Sequence, residues 1–171
     1  MFQLFIASIL SITLSSNTIV FNDRIDIFTI TPIVVKLKTG LITDVYLTTG
    51  GGDVGSGLYL LKQLNKHNPT LHIRYRVASM GAVILCAYKG DKDIPNNIVI
   101  LFHTIRHNNK KITDKNVHTF DTITQRAYQR VKQLIYNNCG NAFTKDEWVS
   151  MWVYGKDIIM TGKTYKKRVL Q

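Results

Sequence analysis

Apolar and polar side chains alternate from Leu71 to Val77, the period of a half-buried strand, and an unbroken small-residue apolar run follows from Met80 to Ala87. Such a run after a strand predicts a buried helix, with Ser79 at the junction. Upstream, residues 18–21 read as a first strand closed by the Asn22-Asp23 turn signal. Residues 26–38 carry apolar positions at Ile27, Ile30, Val34 and Leu37 and read as a helix, although Thr31-Pro32 interrupts it and its β-branched content favours a strand. A strand over 44–48 is broken by Thr49-Gly50-Gly51-Gly52-Asp53. A helix with Leu58, Leu61 and Leu64 on one face then runs to the Asn68-Pro69 stop.

Beyond the turn-rich residues 89–97, the strand over 98–102 is apolar on both faces, as in a sheet covered on both sides. A polar loop (104–114), a long helix (115–137) and a short helix opened by the capping-box spacing Thr144-Lys145-Asp146-Glu147 come next. Residues 162–167 read as one or two helical turns and 168–170 as a last strand. This rhythm predicts an α/β fold with a mostly parallel sheet and right-handed crossovers. Residues 17–171 form one domain, with no internal repeat or linker.

The 171 residues suffice for one domain with a real core, and 45% apolar content places the chain among globular proteins. Net charge is +11, concentrated only at Lys110-Lys111 and Lys166-Lys167-Arg168. No aromatic-interleaved basic stripe accompanies it, so a nucleic-acid partner is not expected. Cys86 and Cys139 set neither a disulfide framework nor a zinc spacing, and Cys86 reads as buried filler. The five histidines form no metal-ligand pattern, and no metal or cofactor is expected. Residues 2–14 are apolar and too short to span a membrane comfortably. They fit the core of a signal peptide with Ser15 and Ser16 near a cleavage point, yet no Lys or Arg precedes Arg24. Two readings stand for residues 1–16: an export signal, or a hydrophobic segment packed on the body or on a neighbouring subunit.

In an open α/β sheet, sites form at the carboxyl ends of strands. Three such ends carry chemistry here: the triple glycine after Leu47, Ser79 after Val77, and His103 after Phe102. A serine at a helix start is favoured by the helix dipole as negative charge develops. A histidine can take its proton, and a carboxylate must then orient the imidazole. Consecutive glycines can turn their N–H groups toward an oxyanion, with the Met80 N–H as a second donor. Each feature alone also has a plain structural reading: helix packing after the serine, a flexible glycine turn, a strand-end histidine.

Taken together, the residues resemble the ClpP-type serine peptidases. Thr49-Gly50-Gly51-Gly52-Asp53-Val54-Gly55-Ser56-Gly57 is similar to the family's S-P-G-G-x-x-x-x-G turn, and Ala78-Ser79-Met80-Gly81-Ala82 to its A-S-M-G-A segment. Phe102-His103 resembles its I-H, and the stretch from Gly155 to Lys163 its R-D-x-x-x-[ST]-A-x-E. The likeness runs in order from about Asn17 to the C-terminus. Gly50 stands where the family has proline, Val77 where it has a small residue, and the Q-P after the histidine is missing.

The resemblance implies Ser79 as nucleophile, His103 as general base and Asp157 as orienting acid, with Asp146 and Asp114 as fallbacks. Gly52 and Met80 would supply the oxyanion hole, and Gly51 and Thr104 would contact the substrate. It further implies a ClpP/crotonase-like fold of β-β-α units, with the 115–137 helix as a handle between rings. The expected protein is a serine endopeptidase acting on peptides or unfolded proteins from within a homo-oligomeric ring. Family resemblance places it in the cytoplasm, where an ATP-driven AAA+ unfoldase could serve it; an export signal would place it outside or in the periplasm and make that partner improbable. The alternatives are a catalytically silent ring subunit and an acyl-CoA-handling enzyme on the crotonase-like fold.

Overall fold

The computed structural model describes residues 17–169; the hydrophobic 1–16 segment lies outside them. The strands are β1 (Thr18–Asn22), β2 (Asp44–Thr49), β3 (Thr70–Ala78), β4 (Lys92–Asp93), β5 (Val99–Phe102), β6 (Arg106–His107), β7 (Lys110–Lys111) and β8 (Ile158–Thr161). The helices are α1 (Ile27–Lys38), α2 (Val54–His67), α3 (Met80–Ala87), α4 (Thr122–Cys139), α5 (Lys145–Trp152) and α6 (Gly162–Val169). The main sheet runs β1-β2-β3-β5-β8, with β4 also on β3. Every pairing in it is parallel except β5 with β8. The chain is therefore mixed α/β with a mostly parallel sheet.

Strands β1, β2, β3 and β5 are laid down in sequence order, and α1, α2 and α3, which connect them, pack against one another in succession. Val45 and Leu47 of β2 and Leu71 and Ile73 of β3 share a core with Ile30, Val34 and Leu37 of α1 and Leu60 and Leu64 of α2. The opposite side of β1 is open, with Val20 75% exposed. Helix α1 forms despite Pro32. Asp26 caps its first turn in a capping box with Thr29, Pro32 lies on the exposed side, and the inward Ile30, Ile33, Val34 and Leu37 hold it to the sheet.

Four expectations are corrected. The long helix begins at Thr122, where the Asp121 carboxylate accepts the Thr124 N–H, not at 115; a 3₁₀ turn, Val117–Thr119, occupies the difference. The 104–114 loop contains the β6–β7 hairpin, turned by Asn108 and Asn109 at positive φ. The last strand among the described residues is β8, and Arg168 and Val169 belong to α6; Leu170 lies outside the described residues. Finally, Cys86 and Cys139 are not separate buried fillers: they form a disulfide, Cα atoms 5.6 Å apart, joining α3 to the end of α4. Fifty-three positions of chain separate them, and only the tertiary fold brings them together.

The alternation over 71–77 is also broken. Between Leu47↔Ile73 and Thr49↔Val77 the register shifts, two residues of β2 matching four of β3. Tyr75 adopts φ 55 and is 82% exposed, although strict alternation would bury it. This bulge bends β3 away from β4, which pairs at Leu71 and His72, onto β5, which pairs at Arg76 to Ala78. The bend sets the position of the residue that follows the strand, Ser79. Among the described residues no helix is long and apolar enough to cross a membrane.

Candidate active site

Ser79 stands between β3 and α3 at φ 54, ψ −123, a conformation that L residues reach only at a cost of about 1–3 kcal/mol. Its main chain is anchored: the Ser79 N–H donates to the Leu101 carbonyl (2.9 Å) and its carbonyl accepts the Val83 N–H (3.1 Å). A serine at a helix N-cap ordinarily accepts an amide hydrogen bond on its hydroxyl; this one makes no side-chain cap bond. Its Oγ is thus left for other work. All eight residues of α3 behind it are buried, which makes a rigid base.

The glycine turn packs directly onto this serine. Gly51, at φ +93, comes so close that a Cβ there would lie 2.5 Å from the Ser79 Cβ and 2.7 Å from the Ala78 carbonyl oxygen. Gly51 donates to Thr49 Oγ1 (3.0 Å), and Thr49 Oγ1 donates to the Asp23 carbonyl (2.7 Å). Its carbonyl accepts the Ile25 N–H (2.9 Å), and the Asp53 N–H donates back to the Ile25 carbonyl (2.7 Å). That ladder uses the Gly51 carbonyl and the Asp53 amide but leaves out the Gly52 N–H. The Met80 N–H, first in α3, has no intrahelical acceptor.

His103 follows the last residue of β5. Its Nδ1–H donates to the Thr104 carbonyl, which fixes the tautomer and leaves the Nε2 lone pair free. Burial holds its pKa below the ordinary 6.5, and Arg106 and Lys111 act in the same direction, against the Thr104 bond and Asp157. Thr104 lines the same cavity but its side chain is fully buried, and its hydroxyl donates to the Ile105 carbonyl at 3.3 Å. Its visible role is to orient the ring.

The antiparallel pair β5–β8, which no sequence signal indicated, brings Asp157 in. Leu101 faces Ile159 and Phe102 faces Ile158, so the next positions in register are His103 and Asp157. The carboxylate does not bond to the imidazole. Lys111 Nζ donates to Asp157 Oδ1 (2.9 Å) and the Arg106 guanidinium lies 3.6 Å from Oδ2; the Lys111 bond is the main cause of its lowered pKa. The other acids are elsewhere: Asp114 takes Lys132 at 2.6 Å, and Asp146 sits in the first turn of α5.

Ser79, Gly50, Gly51, Gly52, Met80, His103 and Thr104 line one cavity of about 1100 Å³, whose rim also carries Arg24, Arg76 and Arg106. Asp157 stands outside that lining, and no hydrogen bond joins Ser79 Oγ to His103. Much of the lining, Arg24, Arg76 and the hairpin residues included, was missed by sequence reasoning. Nothing local marks them; they converge only through the bulge and the loops. Among the described residues no three His, Cys, Asp or Glu side chains are arranged to hold a metal ion. No protein-family model matches the sequence, and no curated protein matches it.

Proposed function

We propose that this chain is a serine endopeptidase of ClpP type, with a crotonase-like arrangement of its β and α units, working as one subunit of a homo-oligomeric ring on peptides or unfolded proteins. The observation that carries the reading is Ser79 itself: a strained strand-to-helix serine with an uncapped hydroxyl, against a glycine turn and in one cavity with His103. In the reaction, Ser79 Oγ attacks the peptide carbonyl while His103 Nε2 takes its proton. The Gly52 and Met80 N–H groups hold the oxyanion. His103 returns the proton to the leaving amine, and an acyl-enzyme remains. Water deprotonated by His103 then releases the acid. Asp157 supports the imidazolium from the adjacent register position.

The test is labelling of the purified chain with a fluorophosphonate probe. Wild type is expected to label, and Ser79→Ala and His103→Ala to lose labelling. The rate should also depend on pH. His103 reacts only as the neutral base, and its pKa lies below 6.5, so the acid limb of the labelling rate should fall below pH 6.5. A limb above 6.5 would mean that burial does not govern this histidine.

One observation favours a second reading, a catalytically silent ring subunit: Asp157 is engaged by Lys111 and Arg106 rather than by His103. An assembled but unlabelled wild type would support it. An acyl-CoA enzyme on the same fold would instead turn over a thioester undiminished in Ser79→Ala.

A further inference from the structure

The carboxylates of this chain are largely engaged. Asp26, Asp53 and Asp121 cap helices. Asp44 and Asp93 hold His72, Asp114 holds Lys132, Glu147 holds Arg168, and Asp157 holds Lys111. With 22 basic against 11 acidic residues, cations must be left over, and where they stand is informative. Arg24 and Arg76 are exposed, make no ion pair among the described residues, and line the cavity that contains Ser79. Arg106 joins them, held only at 3.6 Å from Asp157. Among the described residues only two carboxylates share the lining, and both face backbone amides: Asp53 Oδ1 accepts the Ser56 N–H (2.7 Å) and Asp23 Oδ1 the Arg24 N–H (2.6 Å).

We propose that the cleft selects acidic peptides, with Arg24 and Arg76 receiving Asp or Glu side chains that flank the residue held near Ser79. This rests on the peptidase reading for what happens next, but not for the binding itself. A cavity of about 1100 Å³ is far larger than one small anion needs. Met80, Val83, Ala127 and Val131 give it an apolar wall for a side chain between the charged ones. Among the described residues no Phe, Tyr or Trp lines it, so the cleft lacks the large aromatic platforms on which successive nucleic-acid bases stack. The N-termini of α2 and α3 add positive potential at the same end of the sheet.

The test uses the full chain carrying Ser79→Ala, so that bound peptide is not cleaved. Two fluorescent octapeptides are compared by anisotropy, identical except for Glu or Gln on either side of a central Leu. The Glu peptide should bind at least about tenfold more tightly at low salt, and the advantage should shrink as salt rises. Arg24→Gln with Arg76→Gln should abolish the advantage while leaving the Gln peptide unaffected. Equal affinity, binding of neither peptide, or tighter binding of a uridine oligonucleotide than of the Glu peptide overturns the proposal. The two readings fail separately. A wild type labelled by fluorophosphonate without acid preference loses the substrate class alone, whereas acid preference in an unlabelled wild type keeps the binding and loses the peptidase.

Discussion

Gly51→Ala should slow fluorophosphonate labelling of Ser79 on the order of 100-fold, whereas Gly50→Ala, one residue earlier, should leave it nearly unchanged. The added methyl at 51 would meet the Ser79 Cβ at 2.5 Å, the Ala78 carbonyl oxygen at 2.7 Å and the Met80 nitrogen at 2.9 Å. Two of these are backbone atoms, which cannot swing aside. Relief would require the glycine turn or the start of α3 to move, and either motion displaces the Gly52 and Met80 N–H groups relative to the serine. Position 51 is also at φ +93, so alanine adds conformational strain. Together these should lower stability by about 2–3 kcal/mol. At position 50 nothing lies within 4 Å of the added methyl, and the backbone is not left-handed. Thermal melting measured beside labelling separates lost geometry from lost fold. Equal labelling rates in the two variants would show that the close approach does not position the site.

The second large effect concerns the Cys86–Cys139 bridge. The pair closes a loop of 53 positions, and restricting the unfolded chain to that extent contributes about 4 kcal/mol. Replacing both cysteines by alanine should therefore lower the melting temperature by about 10 °C. Wild type denatured without reductant should show no free thiol, and two after reduction. Both sulfurs are buried, 3% and 1% exposed by residue, so reduction of the folded chain should be slow. Two free thiols before reduction would remove the bridge. Because α3 begins at Met80, directly after Ser79, and α4 lines the same cavity, the double variant should also loosen the cleft and slow labelling.

The candidate site was legible to an uneven degree. Ser79, His103 and the glycine turn each end a strand whose hydrophobic pattern is strong, so their sharing one end of the sheet followed from the sequence. Asp157 was reached only through the family likeness. The strand after it is four residues long, with Ile158 and Met160 buried and Ile159 66% exposed, too short for alternation to mark it. The start of the long helix was misplaced because residues 115–121 have no apolar periodicity and the cap that sets the boundary is Asp121. Arg24, Arg76 and the β6–β7 hairpin were invisible as cavity residues, since a solvated basic side chain looks the same whichever way its loop turns.

By itself the sequence determined the α/β class, the parallel order of strands and helices, the buried helix after Ser79, and which residue types end the strands. These follow from local periodicity and turn chemistry, which act over a few residues. The tertiary structure alone decided the rest. Whether Tyr75 faces in or out depends on a register shift between β2 and β3, and that shift aims Ser79. Whether Cys86 meets Cys139 depends on how α4 packs against α3. Whether Asp157 answers His103 or Lys111 depends on competition between an antiparallel pairing and a hairpin cation. Each joins residues distant along the chain, and such contacts are set by packing and charge in three dimensions.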